Sequence, residues 1–262
     1  MGKIIALVNQ KGGVGKTTSS INLAASLGYL KKKVLLVDLD PQGNSTTGVG
    51  INKTDYEKSM YELLKDEATL QEVIIKTKFK NLYIIPATIN LAGVDFELTE
   101  KHNLDNNFSK GSQLKKYLDQ IKDSFDYIII DCPPSLGILT TNALTAADSV
   151  IIPVQCEFFA LEGIMQLLNT IMMAQKTLNP KLDIEGVLLT MLDGRTNLGL
   201  EVVEEIKSYF KERVYDTIIP RLVRLSEAPS HGKPIIAYDS QNRGSEAYLN
   251  LAKEVIERNG NK

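Results

Sequence analysis

The residues best able to do chemistry lie near the start of the chain. Gln10-Lys11-Gly12-Gly13-Val14-Gly15-Lys16-Thr17-Thr18 joins an apolar run, Ile4–Val8, to a helical pattern, Thr17–Leu30. Glycines between a strand and a helix let successive N–H groups turn inward and cradle phosphate oxygens. The start of the following helix adds its positive dipole end. Lys16 offers a point charge to the β- and γ-phosphates of a nucleoside triphosphate, and Thr17 offers a hydroxyl to Mg²⁺. The pattern G-x-x-x-x-G-K-[ST] is met except at its first glycine, which is Gln10 here, and a second lysine, Lys11, stands inside the loop.

Two acidic segments complete the constellation. Val34-Leu35-Leu36-Val37-Asp38-Leu39-Asp40-Pro41-Gln42 and Tyr127-Ile128-Ile129-Ile130-Asp131-Cys132-Pro133-Pro134 each carry aspartate at the C-terminal end of an apolar run. Ligands bind at that end of open α/β sheets. A carboxylate there can hold Mg²⁺ through water or orient the attacking water.

The elements that must position these groups alternate along the chain. The apolar runs Ile4–Val8, Val34–Val37, Leu82–Ile85, Tyr127–Ile130, Val150–Val154, Val187–Met191 and Thr217–Ile219 read as strands. Most are continuous and β-branched, as expected of strands covered on both faces. Helical patterns occupy Thr17–Leu30, Leu114–Lys122, Leu139–Ala147, Ala160–Leu178, Leu200–Phe210 and Glu246–Arg258. This predicts a doubly wound, mostly parallel α/β sheet with helices on both faces, as one domain over residues 1–262. Gly48–Lys80 predicts helical stretches without a strand, and polar Thr99–Gln113 predicts a surface loop. Met165, Met172 and Met173 are expected to fill core gaps on their helix.

Bulk properties exclude several classes. The 262 residues are 43% apolar and 24% charged with a formal net charge of −2, so no global basic field advertises nucleic acid. From Arg221 to Arg243, however, four basic residues face two acidic ones, a local basic strip. Cys132 and Cys156 form no C-x-x-C and lie far in sequence from His102 and His231. They read as two reduced, buried thiols, in keeping with a cytosolic compartment. Met1-Gly2-Lys3-Ile4-Ile5 lacks the layout of a signal peptide, and no run of 18 apolar residues offers a membrane span.

The altered loop Lys11–Thr18 and the segment Asp38-Leu39-Asp40-Pro41-Gln42-Gly43-Asn44 closely resemble the ParA/MinD superfamily of deviant Walker P-loop ATPases. The stretches Asp131–Gly137, Pro153–Glu157 and Ser226–Pro234 look most like its chromosomal ParA (Soj) branch. The resemblance implies a slow, Mg²⁺-dependent ATPase that binds ATP and ADP. Lys11, Gly12, Gly13, Val14, Gly15, Lys16, Thr17 and Thr18 would hold the nucleotide, with Lys11 reaching phosphates on a partner subunit. Asp40 would act on the attacking water, Asp131 would support Mg²⁺ beside Thr17, and Pro220 and Arg221 would lie near the adenine. It further implies a homodimer when ATP is bound, non-specific DNA binding through Arg195, Arg224, Lys233 and Arg243, nucleoid association, and a ParB-type centromere-binding partner that speeds hydrolysis. The rival within the superfamily is a MinD-like cell-division regulator on membranes, which would need an amphipathic basic C-terminal helix. An iron–sulfur relative would need cysteines placed at a dimer interface.

Overall fold

The apolar runs form strands buried on both faces. The computed structural model describes residues 2–105, 107–157, 160–194 and 197–260, without the side chains of 160–163. Its strands are β1 (Lys3–Leu7), β2 (Val34–Asp38), β3 (Ile75–Lys76), β4 (Leu82–Ile85), β5 (Tyr127–Asp131), β6 (Ser149–Gln155) and β7 (Asp183–Thr190). They make one seven-stranded sheet in the order β3-β4-β2-β5-β1-β6-β7. Every neighbouring pair is parallel except β3 with β4. The helices are α1 (Lys16–Tyr29), α2 (Asn44–Gly48), α3 (Met60–Leu64), α4 (Leu70–Val73), α5 (Val94–Leu104), α6 (Gln113–Ile121), α7 (Ile138–Ala146), α8 (Ala160–Thr177), α9 (Asn197–Phe210), α10 (Val223–Glu227), α11 (Ile235–Tyr238) and α12 (Arg243–Gly260).

Successive residues of each strand point to opposite faces, so each strand serves two cores. Ile4 and Ala6 of β1 pack with residues of α5 to α9 on one side. Ile5 and Leu7 pack with Ile21, Leu23 and Leu27 of α1 and Tyr248, Leu251 and Val255 of α12 on the other. Truncating one of these buried leucines or isoleucines to alanine should cost about 2–5 kcal/mol. The central strands are therefore rigid posts for whatever their C-terminal ends carry.

Three expected elements differ. Thr217–Ile219 is not a strand: Ile219 donates its N–H to the Leu189 carbonyl at 2.9 Å and accepts the Leu192 N–H at 3.2 Å, but the segment around it forms only isolated parallel bridges, Val187 with Val214 and Leu192 with Pro220. The β7 ladder ends where Met191 turns to a left-handed backbone (φ 53°), and Pro220 has no N–H with which to continue it. Within Gly48–Lys80 the short strand β3 pairs antiparallel with β4, Ile75 opposite Ile84. The first part of Thr99–Gln113 belongs to α5, which hides only Val94 and Leu98 and turns its polar residues outward. The α8 methionines also differ from expectation: Met165, Met172 and Met173 are 45%, 47% and 68% exposed, and Ile164, Leu167 and Ile171 fill the core instead.

Candidate active site

In the sheet β5 lies between β2 and β1, so the phosphate loop, the Asp38–Asp40 segment and Asp131 converge at one end. Gly13 and Gly15 adopt φ of 76° and 84°, a left-handed backbone that side chains disfavour. A Cβ on Gly12 or Gly13 would meet nothing within 4 Å, so the concave side of the loop is open. Two bonds fix the loop to neighbouring strands, and a third braces it internally. Asn9 Nδ2 donates to the Pro153 carbonyl (2.7 Å), the Lys11 N–H donates to Asn9 Oδ1 (3.0 Å), and Thr190 Oγ1 donates to the Val14 carbonyl (2.9 Å).

The two loop lysines have different surroundings. Lys16 is 6% exposed, and its Nζ donates to the Lys11 carbonyl at 3.1 Å. Burial lowers its pKa, opposed by the attraction of Asp131, Cys132 and Asp40. Lys11 is exposed, and no carboxylate among the described residues lies within ion-pair distance of it.

Asp131 is fully buried and held by hydroxyls. Ser20 Oγ donates to its Oδ1 at 3.0 Å and Ser45 Oγ to its Oδ2 at 2.8 Å, and the nearby Thr17 hydroxyl also favours its charged form. Asp38 sits at the same register on the adjacent strand. Its Oδ2 accepts the Thr46 N–H and Oγ1 at 2.8 and 2.7 Å, and its Oδ1 accepts the Asp40 N–H at 3.2 Å. Burial pushes Asp38 above the usual carboxylate range, and neighbouring Asp131 adds to the rise. Burial also raises Asp131, against the pull of its hydroxyl partners. Asp40, 8% exposed, accepts the Gln42 N–H on Oδ1 at 2.9 Å. The donor set fits Mg²⁺: hard oxygens from Thr17 and Asp131 beside an open glycine cradle.

Beside Gly15 lies a cleft of about 160 Å³ lined by Thr18, Met191, Pro220, Arg221, Leu225 and Tyr248 among others. Its mostly apolar walls suit a planar base, and Tyr248 is set by the contact of its hydroxyl with Ser19 Oγ at 3.1 Å. Arg221 forms an exposed ion pair with Glu157 at 2.9 Å. A larger hollow of about 1220 Å³ opens among lysines and aspartates around Lys3, Lys122 and Asp148. It lies at the N-terminal end of the strands, away from these groups.

Residues 2–184 match a family described as an AAA domain. The chain is 62% identical over 255 residues to the sporulation initiation inhibitor protein Soj of Bacillus subtilis (strain 168), covering 97% of this chain and 98% of that one. The chain belongs to the Soj/ParA family of chromosome-partitioning ATPases. It is also 50% identical over 260 residues to the chromosome-partitioning ATPase Soj of Treponema pallidum (strain Nichols), covering 99% of each. Among solved structures, cobyrinic acid a,c-diamide synthase from Mycobacterium smegmatis, crystallised with ADP and magnesium, matches with a TM-score of 0.85. That match has 33% identity and covers 100% of this chain and 97% of the other.

Of the residues the sequence singled out, the fold brings together the Lys11–Thr18 loop, Asp40 and Asp131, with Pro220 and Arg221 beside them. Arg224, Lys233 and Arg243 are all exposed on the α10–α12 region, and Arg224 pairs with Glu227 at 3.3 Å. Arg195 lies outside the described residues. Cys132 and Cys156 are buried free thiols whose pKa burial raises. Sequence reading missed Ser20, Ser45 and Thr46. Ser20 follows Lys16 by one helical turn, a spacing that could have placed it beneath the phosphate loop.

Proposed function

We propose that this chain is a chromosome- or plasmid-partitioning ATPase, one domain over residues 1–262, that hydrolyses ATP slowly to ADP and phosphate. The Lys11–Thr18 loop receives the phosphates, and Pro220 and Arg221 flank the base. Thr17 would ligate Mg²⁺, with Asp131 supporting it at one remove, and the ion would supply charge neutralisation at the phosphates. Asp131, kept in place by Ser20 and Ser45, orients the Thr17 hydroxyl. Asp40, just beyond β2, positions the attacking water.

One observation carries the regulatory part of this reading: a single phosphate loop holds one buried lysine and one exposed lysine with no carboxylate partner among the described residues. Lys16 serves the nucleotide of its own subunit, and Lys11 points the reading toward phosphates on a second copy. The ATP form is thus a homodimer, which binds DNA without sequence preference and sits on the nucleoid. A ParB-type partner speeds hydrolysis and releases it. The MinD-like alternative needs a free apolar helix face. In α12 that face is already used, since Tyr248, Leu251, Ala252 and Val255 are buried against α1.

The test is light scattering of the purified chain with Mg²⁺ and either ADP or ATP, with and without duplex DNA. A dimer with ATP alone, lost in Lys11→Ala while that variant still binds ATP, is the expected result. The same mass in both nucleotides would refute the switch.

A further inference from the structure

Some lysines on this molecule are matched by carboxylates, and others, Lys33, Lys53, Lys76, Lys181, Lys207 and Lys253 among them, are exposed with no such partner among the described residues. Lys58, Lys65, Lys101, Lys115, Lys116 and Lys122 each sit within ion-pair distance of a carboxylate. Lys31, Lys78, Lys80 and Lys233 are all exposed, and none has such a partner among the described residues.

These four come from three separate turns, and the fold draws them into one row. Lys31 follows α1 in a left-handed conformation (φ 67°), its N–H donating to the Gly28 carbonyl at 3.1 Å. Asn81 Nδ2 bonds that same oxygen at 3.2 Å, and the Lys80 carbonyl rests directly on Gly28. Lys31 and Lys80 therefore flank one glycine. Lys78 reaches the other way, so that a Cβ on Gly50 would stand 2.8 Å from its Nζ. The same Cβ would stand 2.8 Å from the Gly232 carbonyl, and Lys233 is the next residue. The Lys233 N–H in turn bonds the Ala228 carbonyl at 3.2 Å, immediately after the helix that carries Arg224.

We propose that Lys31, Lys78, Lys80 and Lys233 form a phosphate track that carries bound duplex DNA past Arg224 and along the flank of α1. Uncompensated like charges in a row raise a local positive potential although the whole chain carries −2. A row of cations suits a rod of closely spaced phosphates. An interfacial membrane surface would pair its cations with an outward apolar face. Here they sit on turns, and Phe79 beside Lys78 packs toward the core. The inference rests on the non-specific DNA reading above and extends the contact surface beyond the α10–α12 region.

The test is filter binding of a duplex to the full chain with ATP and Mg²⁺, titrated from about 50 to 200 mM salt. Wild type is compared with Lys78→Gln/Lys80→Gln, Lys31→Gln and Arg224→Ala. Each lost phosphate contact flattens the slope of log affinity against log salt by about 0.9, so the double variant should flatten it by about 1.8. Its loss of affinity across that salt range should then be about 12-fold smaller than that of wild type. Basal ATPase rate and melting temperature should match wild type. Slopes unchanged in the lysine variants but flattened in Arg224→Ala would overturn the track and leave the DNA reading standing. No DNA binding by wild type in any nucleotide would overturn both. Track-dependent sedimentation with phosphatidylglycerol-containing vesicles, with unchanged DNA slopes, would assign the row to a membrane and also overturn the proposal.

Discussion

Lys16→Met separates a lysine kept for a ligand from one kept for the fold. In the ligand-free protein Lys16 is almost buried, and its ammonium holds one identified bond, to the Lys11 carbonyl at 3.1 Å. That residue is exposed, so water can replace the donor at little cost. Methionine keeps the apolar stem and discards the desolvated charge. Because burial depresses the Lys16 pKa, the ammonium opposes folding. That penalty is full below the folded-state pKa and fades as pH climbs toward the unfolded value. The ligand-free variant should therefore equal or exceed wild type in urea midpoint at neutral pH, with the difference shrinking in alkali. ATP binding should move the other way. Two charge-assisted bonds to phosphate, at about 1.5–3 kcal/mol each, total about 3–6 kcal/mol, or about 10²–10⁴-fold in Kd. Isothermal titration measures the second effect. A Kd within tenfold of wild type would remove Lys16 from the phosphate site, and a ligand-free variant clearly less stable than wild type would make its bond to Lys11 structural.

Other substitutions probe the rest of the site. Asp40→Ala should bind ATP normally, release no phosphate and accumulate as a dimer; normal phosphate release would reassign the water-positioning group. Thr46→Val removes both the donor to Asp38 and the acceptor of the Ala87 N–H, a 3.1 Å bond. Asp38 Oδ2 keeps the Thr46 N–H, so one buried group, the Ala87 N–H, is left unsatisfied, and the variant should lose about 1–3 kcal/mol in urea unfolding. Since Asp38 is held above the usual carboxylate range, its contribution to stability is present in acid and declines as pH rises. Loss of the Thr46 donor should steepen that decline. Arg195→Ala and Arg224→Ala should each flatten the salt dependence of DNA binding by about 1 while ATP-driven dimerisation survives. Addition of a ParB-type partner with DNA should raise the rate of phosphate release.

The central sheet was legible because strands covered on both faces must be continuously apolar, and β2, β4, β5 and β6 meet that demand within a residue or two. The periphery was not. β3 is too short for any period to show, and α5 buries so little that its polar stretch resembles a loop. The exposed α8 methionines show a related limit: an apolar type on a helix says nothing of which side faces the sheet until Ile164, Leu167 and Ile171 take the inner positions.

The phosphate loop could be read from the chain alone, because glycine, lysine and threonine spacing along a contiguous backbone is local geometry. The chain alone also marked Asp40 and Asp131, because a carboxylate ending an apolar strand must emerge at the ligand end of the sheet. The strand order, by contrast, was a tertiary decision. Only after β5 inserted between β1 and β2 did Asp131 meet Ser20 and Ser45 from two other segments, and Asp38 come to lie beside it. The same holds for the base cleft, where Tyr248 and Thr18 meet across the α12–α1 contact, and for the row from Lys31 to Lys233. Those groups are far apart along the chain, and no spacing in a one-dimensional sequence encodes which turns the packing of helices on a sheet will bring side by side.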